Sequence, residues 1–280
     1  MKKLKKIALT GASGRLGSYL REPLSSITEQ LISLDIKPLG KTLKNETFER
    51  VDLSNYNEIE RVLKQTDLIV HFGAYSNEGL FSNILESNIV GSFNIWKAAK
   101  KNGIKRIIFA SSIHSVGMHK SSALVSSTVM HRPDTFYGLS KCFGEDLGRM
   151  YWDKYAIECL CIRILSCAKV TSNRALGTWL SYEDLIRIVL KSTKIKNLGF
   201  EIIYGVSNNK RSPVNNENAT KLGFNIKDDA EIFTKDLLKK GTLNETKPGD
   251  TYLGGPFAIA PLESDAMASM DIVDDRKIVD

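Results

Sequence analysis

The chain has 280 residues, of which 42% are hydrophobic and 25% charged, and its formal net charge is +7. This length and composition are typical of a globular protein with a large core. No run approaches the roughly 20 apolar residues of a membrane span, and the apolar run at 7–9 is too short for a signal peptide. Basic residues form no stripe interleaved with aromatic residues. We therefore expect a cytoplasmic protein with neither membranes nor nucleic acids as partners.

Cysteine spacing bears on metal binding and on the redox compartment. The four cysteines, Cys142, Cys159, Cys161 and Cys167, form no CxxC pair and no zinc-type spacing with the four histidines. We predict no metal site and expect free thiols, as in a reducing compartment.

Strand-like and helix-like segments alternate through the first 165 residues. In chain order they are a strand at 5–10, a helix from a turn at 11–17 to about residue 27, a strand at 31–34 ending at Asp35, a helix capped by Ser54 and ending at Leu63, a strand at 67–72, a helix at about 80–101, a strand at 105–111, a helix at 137–155 and a strand at 158–165. Such alternation predicts an α/β fold with a doubly wound parallel sheet, the Rossmann fold.

After residue 166 the pattern becomes less regular. The predicted elements there are a helix at 182–191, a strand at 201–204 and a helix at 228–238. We expect residues 1–165 to form the sheet domain and 166–257 to form a small C-terminal lobe. Residues 258–280 lack periodicity and are predicted to be a flexible tail.

The glycine-rich turn lies between the first strand and the first helix, which is the context of a dinucleotide site. Gly11 permits the tight turn, Gly14 lets the backbone approach a pyrophosphate, and Gly17 lets the helix pack closely on the sheet. The free N–H groups of the helix N-terminus then face the phosphates. Further contacts are predicted from Ser13, Arg15 and Leu16.

Asp35 ends the second predicted strand, 18 residues beyond the last glycine of the turn. A carboxylate there accepts hydrogen bonds from the adenosine ribose and repels a 2′-phosphate, which favours NAD over NADP. Arg15 and Lys37 favour NADP weakly, and a turn or cap role for Asp35 is the alternative. Asp52 and Leu53, after the next strand, are predicted to contact the adenine.

Tyr137 and Lys141 lie four residues apart on the long predicted helix and therefore share a face. Free tyrosine has a pKa of about 10, and a nearby ammonium group lowers it. The positive charge of an oxidised nicotinamide would add to this effect. Ser112, at the end of the preceding strand, would hold the substrate oxygen. Together with the glycine turn, these residues predict a nicotinamide-dependent oxidoreductase rather than a surface Tyr/Lys pair.

These motifs resemble the extended short-chain dehydrogenase/reductase superfamily over roughly residues 5–257. The segment Asn88-Ile89-Val90-Gly91-Ser92-Phe93-Asn94 also resembles a helix motif of that superfamily, in which the first asparagine supports the active site. The resemblance implies that residues 1–165 bind NAD and carry the catalytic residues, and that 166–257 bind substrate. The implied cofactor contacts include Gly73, Ala74, Asn88, Tyr137 and Lys141.

Longer segments are similar to one family within it, the uronate dehydrogenases. They are 110–117, 137–145 and 149–155, with shorter matches at 163–167, 178–181 and 222–224. This resemblance implies NAD-dependent oxidation of cyclic galacturonate or glucuronate at C1 to an aldaric acid lactone. The implied sugar contacts are Ser76, Ser112, Ile113, His114, Tyr137, Ser166 and Arg174.

Arg174 would bind the C6 carboxylate, because a guanidinium group matches a carboxylate with two parallel hydrogen bonds. An ordinary surface arginine is the alternative. For His114 the two readings are a general base and a supporting or packing residue, and the second is favoured because Tyr137 already serves as base. Ile113 departs from the family, which has asparagine there. Either Ile113 changes the sugar preference, or it points into the core and Ser76 or His114 makes the contact.

Three other functions remain open. A neutral aldose 1-dehydrogenase would use the same chemistry. A nucleotide-sugar epimerase or dehydratase usually has a larger C-terminal lobe, whereas 115 residues follow Leu165 here. A non-catalytic dinucleotide sensor typically lacks the tyrosine and lysine that this chain retains. A homo-oligomer is compatible with the sequence.

Overall fold

The structure is a computed structural model that describes residues 4–268 and 276–277. Seven strands form one parallel sheet in the order β3-β2-β1-β4-β5-β7-β8. They are β1 Leu4–Thr10, β2 Thr28–Asp35, β3 Glu46–Arg50, β4 Leu68–His71, β5 Arg106–Ser112, β7 Glu158–Ile164 and β8 Phe200–Gly205. Two short strands, β6 Val125–Ser126 and β9 Val214–Asn215, form a separate parallel pair. The doubly wound parallel α/β fold predicted from the sequence is confirmed.

Helices connect the strands and cover both faces of the sheet. The α-helices are α1 Arg15–Ile27, α2 Tyr56–Val62, α3 Phe81–Ile84, α4 Gly91–Lys101, α5 Phe136–Tyr155, α6 Asn173–Thr178, α7 Tyr182–Ser192, α8 Glu217–Lys221 and α9 Thr234–Lys239. A π-helix, Leu85–Val90, joins α3 to α4. Short 3₁₀ helices are Ile113–Val116, Ser121–Ala123, Ala230–Phe233, Pro248–Thr251 and Gly255–Ile259. In the described residues, no helix is long and apolar enough to cross a membrane.

Side chains alternate between the two faces of a strand, and each face has its own core. In β1, Ile7 and Leu9 pack with residues of α1 and α7, whereas Ala8 packs with residues of α2, α4 and α5. All three side chains are fully buried. The continuous apolar runs of the central strands therefore follow from burial on both sides, as expected for a parallel sheet.

Local details differ from the sequence predictions where tertiary contacts decide them. Asn55, not Ser54, caps α2, because its side chain accepts a hydrogen bond from the Glu58 backbone N–H at 3.3 Å. Ser54 instead donates to Asp52 from both its backbone and its hydroxyl, each at 2.9 Å. The helix predicted at 80–101 is interrupted by the π-helix. The helix predicted at 228–238 is a 3₁₀ turn followed by α9.

The second half of the chain returns to the main sheet. Strand β8, within the range 166–257 that was predicted as a lobe, pairs in parallel with β7 along its whole length. The sheet therefore takes its last strand from beyond residue 165. The assignment of substrate binding to 166–257 stays a prediction.

The first part of the predicted flexible tail packs against the body of the protein. Ala266 is 4% exposed in a cluster with Ile84, Tyr137 and Phe257. The Glu263 backbone N–H donates to a Glu78 carboxylate oxygen at 3.0 Å. Residues 258–268 therefore differ from the prediction, because Ala260, Ala266 and Met267 pack against this cluster, although Ile259 and Leu262 are exposed. The remaining tail residues, apart from 276 and 277, lie outside the described residues.

Candidate active site

The glycine turn has the geometry of a phosphate-binding loop. Gly11 has a φ of +72°, and a Cβ there would lie 2.7 Å from the Gly73 nitrogen. A Cβ on Gly17 would collide with the Gly11 carbonyl oxygen. Gly14 begins α1 in extended conformation, and no described side chain caps this helix. The turn therefore leaves backbone N–H groups at a helix N-terminus available for an anion.

Asp35 lies beside this turn at the end of β2. Its carboxylate oxygens accept hydrogen bonds from the backbone N–H groups of Ser13 at 2.9 Å and Lys37 at 3.0 Å. The turn and the Asp35 carboxylate, which are separated in the sequence, are thus in direct contact in the structure. Arg15 and Leu16 follow the turn and are half-buried. These residues fit the adenosine half of a dinucleotide, whose ribose would meet Asp35.

On the other side of β1, the residues after β4 face the turn. Gly73 and Ala74 are half-buried there, and a Cβ on Gly73 would lie 3.0 Å from the Leu53 side chain. Asp52 is exposed in the preceding turn. The structure thus places Leu53 and Gly73 together, near Gly11.

Asn88 holds this segment to the catalytic helix. Its side-chain oxygen accepts from the Tyr75 N–H at 2.8 Å, and its amide donates to the Tyr75 carbonyl at 3.0 Å and to Ser140 Oγ at 2.9 Å. The π-helix carries Asn88 into this buried position. Its donors and acceptor are used within the protein, which fits a supporting role.

Ser112, Tyr137 and Lys141 meet at the carboxyl end of β5. All three are buried, and the Ser112 side chain lies close enough to Tyr137 to act on its pKa. Lys141 Nζ donates to the Ala110 carbonyl oxygen at 2.8 Å and lies 5.4 Å from the centre of the Tyr137 ring. The helical spacing has therefore brought the ammonium group to the phenol, as expected from the sequence.

The pKa values show what burial does to this pair. Burial raises the pKa of Tyr137 to about 12; the hydrogen bond from Ser112 opposes this, and the Asp134 charge adds to it. Burial lowers the pKa of Lys141 to about 8, against the nearby negative charge of Glu145. The expected lowering of the Tyr137 pKa is thus not present in the protein by itself.

Arg174 approaches the same site from α6. Its Nη2 donates to the Leu253 carbonyl oxygen at 2.5 Å, and a Cβ on Gly255 would lie 2.7 Å from its guanidinium carbon. Burial lowers the pKa of Arg174, while the negative charges of Asp250 and Asp134 raise it. Asp134 influences both Arg174 and Tyr137, so it lies close enough to both for its charge to act.

Of the other predicted sugar contacts, His114 contacts Tyr137, whereas Ser76 and Ser166 lie on other segments. Ser76 is exposed beside Tyr75, which packs against the cluster containing Tyr137 and Phe257. Ser166 follows β7, and its backbone pairs with Thr178 at the end of α6 and with Leu180. His114 stacks on Phe257 and meets the edge of Tyr137, with ring centres 4.1 Å and 5.7 Å apart.

Ile113 does not face the site. Its side chain is 1% exposed in an apolar cluster with Val116, Val125, Tyr204 and Leu253. Ser112 ends β5, and Ile113, the first residue of the 3₁₀ helix that follows, directs its side chain into this cluster. The prediction that Ile113 contacts the sugar is corrected, and of its two readings the packing one agrees with the structure.

Several residues around the site were not identified as candidates from the sequence. Asp134 pairs with His114, Phe257 covers its ring, and Glu78 accepts from the Tyr137 backbone N–H at 3.0 Å. Glu145, one turn beyond Lys141, pairs with Arg163. Glu145 lies four residues after Lys141 on the same helix, and this spacing could have identified it from the sequence. Asp134 and Glu78 come from loops and Phe257 from a short 3₁₀ helix, and only the fold brings them to the site.

A cleft of about 490 Å³ lies away from this centre. His131, Arg149 and Phe200 are among its lining residues, whereas Ser112 and Tyr137 are not. Among the described residues, no group of three or more His, Cys, Asp or Glu side chains is placed to hold a metal ion.

Residues 7–168 match the model of the NAD dependent epimerase/dehydratase family. The chain belongs to this family. Within it, the chain is similar to the uronate dehydrogenase of Pseudomonas putida, with 38% identity over 257 residues, 91% of this chain and 96% of that protein.

Solved structures agree with this family assignment. A glucuronic acid dehydrogenase from Chromohalobacter salexigens superposes with a TM-score of 0.89 at 35% identity, covering 93% of this chain and 98% of that one. A mutant uronate dehydrogenase from Agrobacterium tumefaciens, complexed with NAD, has a TM-score of 0.87 at 35% identity, covering 92% and 98%. The resemblance to uronate dehydrogenases is confirmed.

Proposed function

We propose that this chain is an NAD-dependent uronate dehydrogenase that oxidises cyclic galacturonate or glucuronate at C1 to the aldarolactone. One observation carries the proposal. The buried Ser112, Tyr137 and Lys141 lie together in a chain that matches uronate dehydrogenases over nearly their full length. The four cysteines are free and buried, which suits an enzyme of the reducing cytoplasm.

The residues around the turn fit NAD. The N–H groups at the start of α1 would hold the pyrophosphate, and the missing side chains of Gly11 and Gly17 give the backbone its close packing. Asp35 would accept hydrogen bonds from the adenosine ribose, with Leu53 near the adenine. When bound, NAD supplies the hydride acceptor and a positive charge near Tyr137.

Tyr137 acts as the base. Its phenolate takes the proton of the C1 hydroxyl while the C1 hydrogen leaves with its electron pair, so that C1 becomes the lactone carbonyl. Ser112 donates a hydrogen bond to the C1 oxygen. Lys141 stabilises the phenolate by its positive charge. Its ammonium group is held in place by the hydrogen bond from Nζ to the Ala110 carbonyl oxygen at 2.8 Å.

Arg174 selects the carboxylate. The guanidinium group is desolvated, and the hydrogen bond to Leu253 is to a neutral carbonyl. A buried cation is stabilised by an anionic partner, and a uronate provides one at C6. A neutral sugar with the same ring would lack this carboxylate and leave Arg174 with only the charges of Asp250 and Asp134.

The proposal is tested with sugars that differ at one position. Initial rates of NADH formation should be high with galacturonate and glucuronate and far lower with galactose and glucose. Mass spectrometry should identify an aldarolactone as the product. Oxidation of neutral aldoses alone, turnover of a nucleotide sugar instead, or NAD binding without any turnover would each replace the proposal with one of the alternatives.

A further inference from the structure

Asp134 is a buried carboxylate that the proposed chemistry does not use. Its side chain is 0% exposed, and Oδ2 lies 2.8 Å from His114 Nδ1. Its other oxygen accepts from the Thr135 hydroxyl at 3.0 Å. Within the described residues, its one ion-pair partner is His114. Burying such a charge costs free energy unless a partner stabilises it.

Three glycines make room for this carboxylate. A Cβ on Gly117 or on Gly254 would collide with Asp134 Oδ2, and a Cβ on Gly138 would lie 3.1 Å from Oδ1. The three glycines belong to separate segments: the end of a 3₁₀ turn, the loop before Phe257 and the first turn of α5. Three backbone segments thus close around one carboxylate, which fixes its direction toward His114.

The His114 ring is held on three sides. Asp134 meets Nδ1, Phe257 stacks on one face with ring planes 24° apart, and Tyr137 lies at 63° to the ring. A carboxylate accepts hydrogen bonds, so Nδ1 carries the proton, and the neutral ring has its lone pair at Nε2. The contact with Asp134 thus sets both the tautomer and the orientation of the His114 ring.

We infer that Asp134 is a positioning residue that acts through His114: it keeps the imidazole in the Nδ1–H form, so that Nε2 accepts a hydrogen bond from a sugar hydroxyl beside C1. The substrate part of this inference rests on the proposed function. The tautomer part is a property of the protein alone. The two parts can therefore fail separately.

Nitrogen-15 NMR of the histidine side chains tests the tautomer without substrate. The chain has four histidines, and the spectrum of His114→Gln identifies the signals of His114. We expect Nδ1–H in the unsubstituted protein and a shift toward Nε2–H in Asp134→Asn, whose amide can donate to Nδ1. Nε2–H in the unsubstituted protein would overturn the inference, whatever the enzyme oxidises.

A double-substitution cycle tests the kinetic part. Asp134→Asn should lower kcat/KM for uronate by about 10- to 100-fold, the scale found for carboxylates that orient metal-binding histidines. In a His114→Ala background the same substitution should have little further effect, and the Kd of NAD should stay constant throughout. Equal losses in both backgrounds would show that Asp134 does not act through His114. Asp146→Asn, an exposed position on α5, is the matched control.

Discussion

Glu145 and Arg163 form an ion pair with two hydrogen bonds directly behind the catalytic centre. Arg163 Nε lies 2.9 Å from Oε1 and Nη2 lies 2.7 Å from Oε2, and both side chains are 1% exposed. Ser111 donates to the same carboxylate at 2.5 Å and His131 contacts it at 2.8 Å. The pair thus connects β5, α5 and β7, the three elements that carry or flank Ser112 and Tyr137.

Replacing Glu145 with Gln should destabilise the protein by about 3–5 kcal/mol, because Arg163 would remain buried without its counter-charge. Urea unfolding of Glu145→Gln measures this directly. Adding Arg163→Met should recover part of the loss. A change below about 0.5 kcal/mol, the range of ordinary surface substitutions, would contradict the structural role of the pair.

The same pair predicts a pH dependence. The pKa of Glu145 is lowered to about 2; burial opposes the lowering, which comes from the hydrogen bonds of His131 and Arg163 and the Arg163 charge. A carboxyl group whose pKa is lower in the folded state stabilises that state above its unfolded pKa of about 4.3. This contribution is lost as the pH falls through about 2. Glu145→Gln should therefore lose less stability than the unsubstituted protein over that interval.

Asp35→Ala should change the cofactor preference. The substitution removes a carboxylate that would hydrogen-bond to the ribose and repel a 2′-phosphate. The kcat/KM with NAD should therefore fall, and the ratio of kcat/KM with NADP to kcat/KM with NAD should rise. Steady-state kinetics with both cofactors measures the ratio. A higher kcat/KM with NADP in the unsubstituted enzyme would show that Asp35 does not exclude the phosphate.

Arg174→Ala should separate charged from neutral sugars. Losing one partner of a buried charge pair costs about 2–5 kcal/mol, so uronate oxidation should fall far more than oxidation of the matching neutral aldose. Rates with galacturonate and galactose in both proteins give the comparison. Equal losses on the two sugars would assign Arg174 to folding rather than to the carboxylate.

Ile113→Asn should act on stability and not on sugar preference. The amide would enter an apolar cluster, where an unsatisfied polar group costs about 1–3 kcal/mol, in addition to the lost packing. The midpoint of urea unfolding should fall, while the ratio of galacturonate to glucuronate activity stays the same. A changed ratio would show that Ile113 contributes to sugar recognition.

The sheet could be predicted because its signals are local. The apolar runs, the glycine turn and the i,i+4 pair of Tyr137 and Lys141 each depend on neighbouring residues alone. The π-helix at Leu85–Val90 could not be predicted, because it accompanies hydrogen bonds of Asn88 with Tyr75 and Ser140, which are distant in the chain. The packing of the tail likewise depends on Glu78, 185 residues from Glu263.

The site was predictable in part for the same reason. The residues at strand ends, Ser112 and Asp35, followed from the rule that open α/β sheets bind ligands there. The direction of Ile113 depends on where β5 ends and the following 3₁₀ helix begins. Asp134 lies in a loop and Phe257 in a short 3₁₀ helix, and only the fold brings both of them to His114.

The most direct test of the account is the rate of NADH formation from galacturonate by Tyr137→Phe. Removing a general base typically costs about 10²- to 10⁴-fold, so turnover should fall at least 100-fold while the Kd of NAD stays unchanged. Tyr155→Phe, an exposed tyrosine on the same helix, should keep normal turnover. Near-normal turnover by Tyr137→Phe would contradict the central claim that Tyr137 is the base of this oxidation.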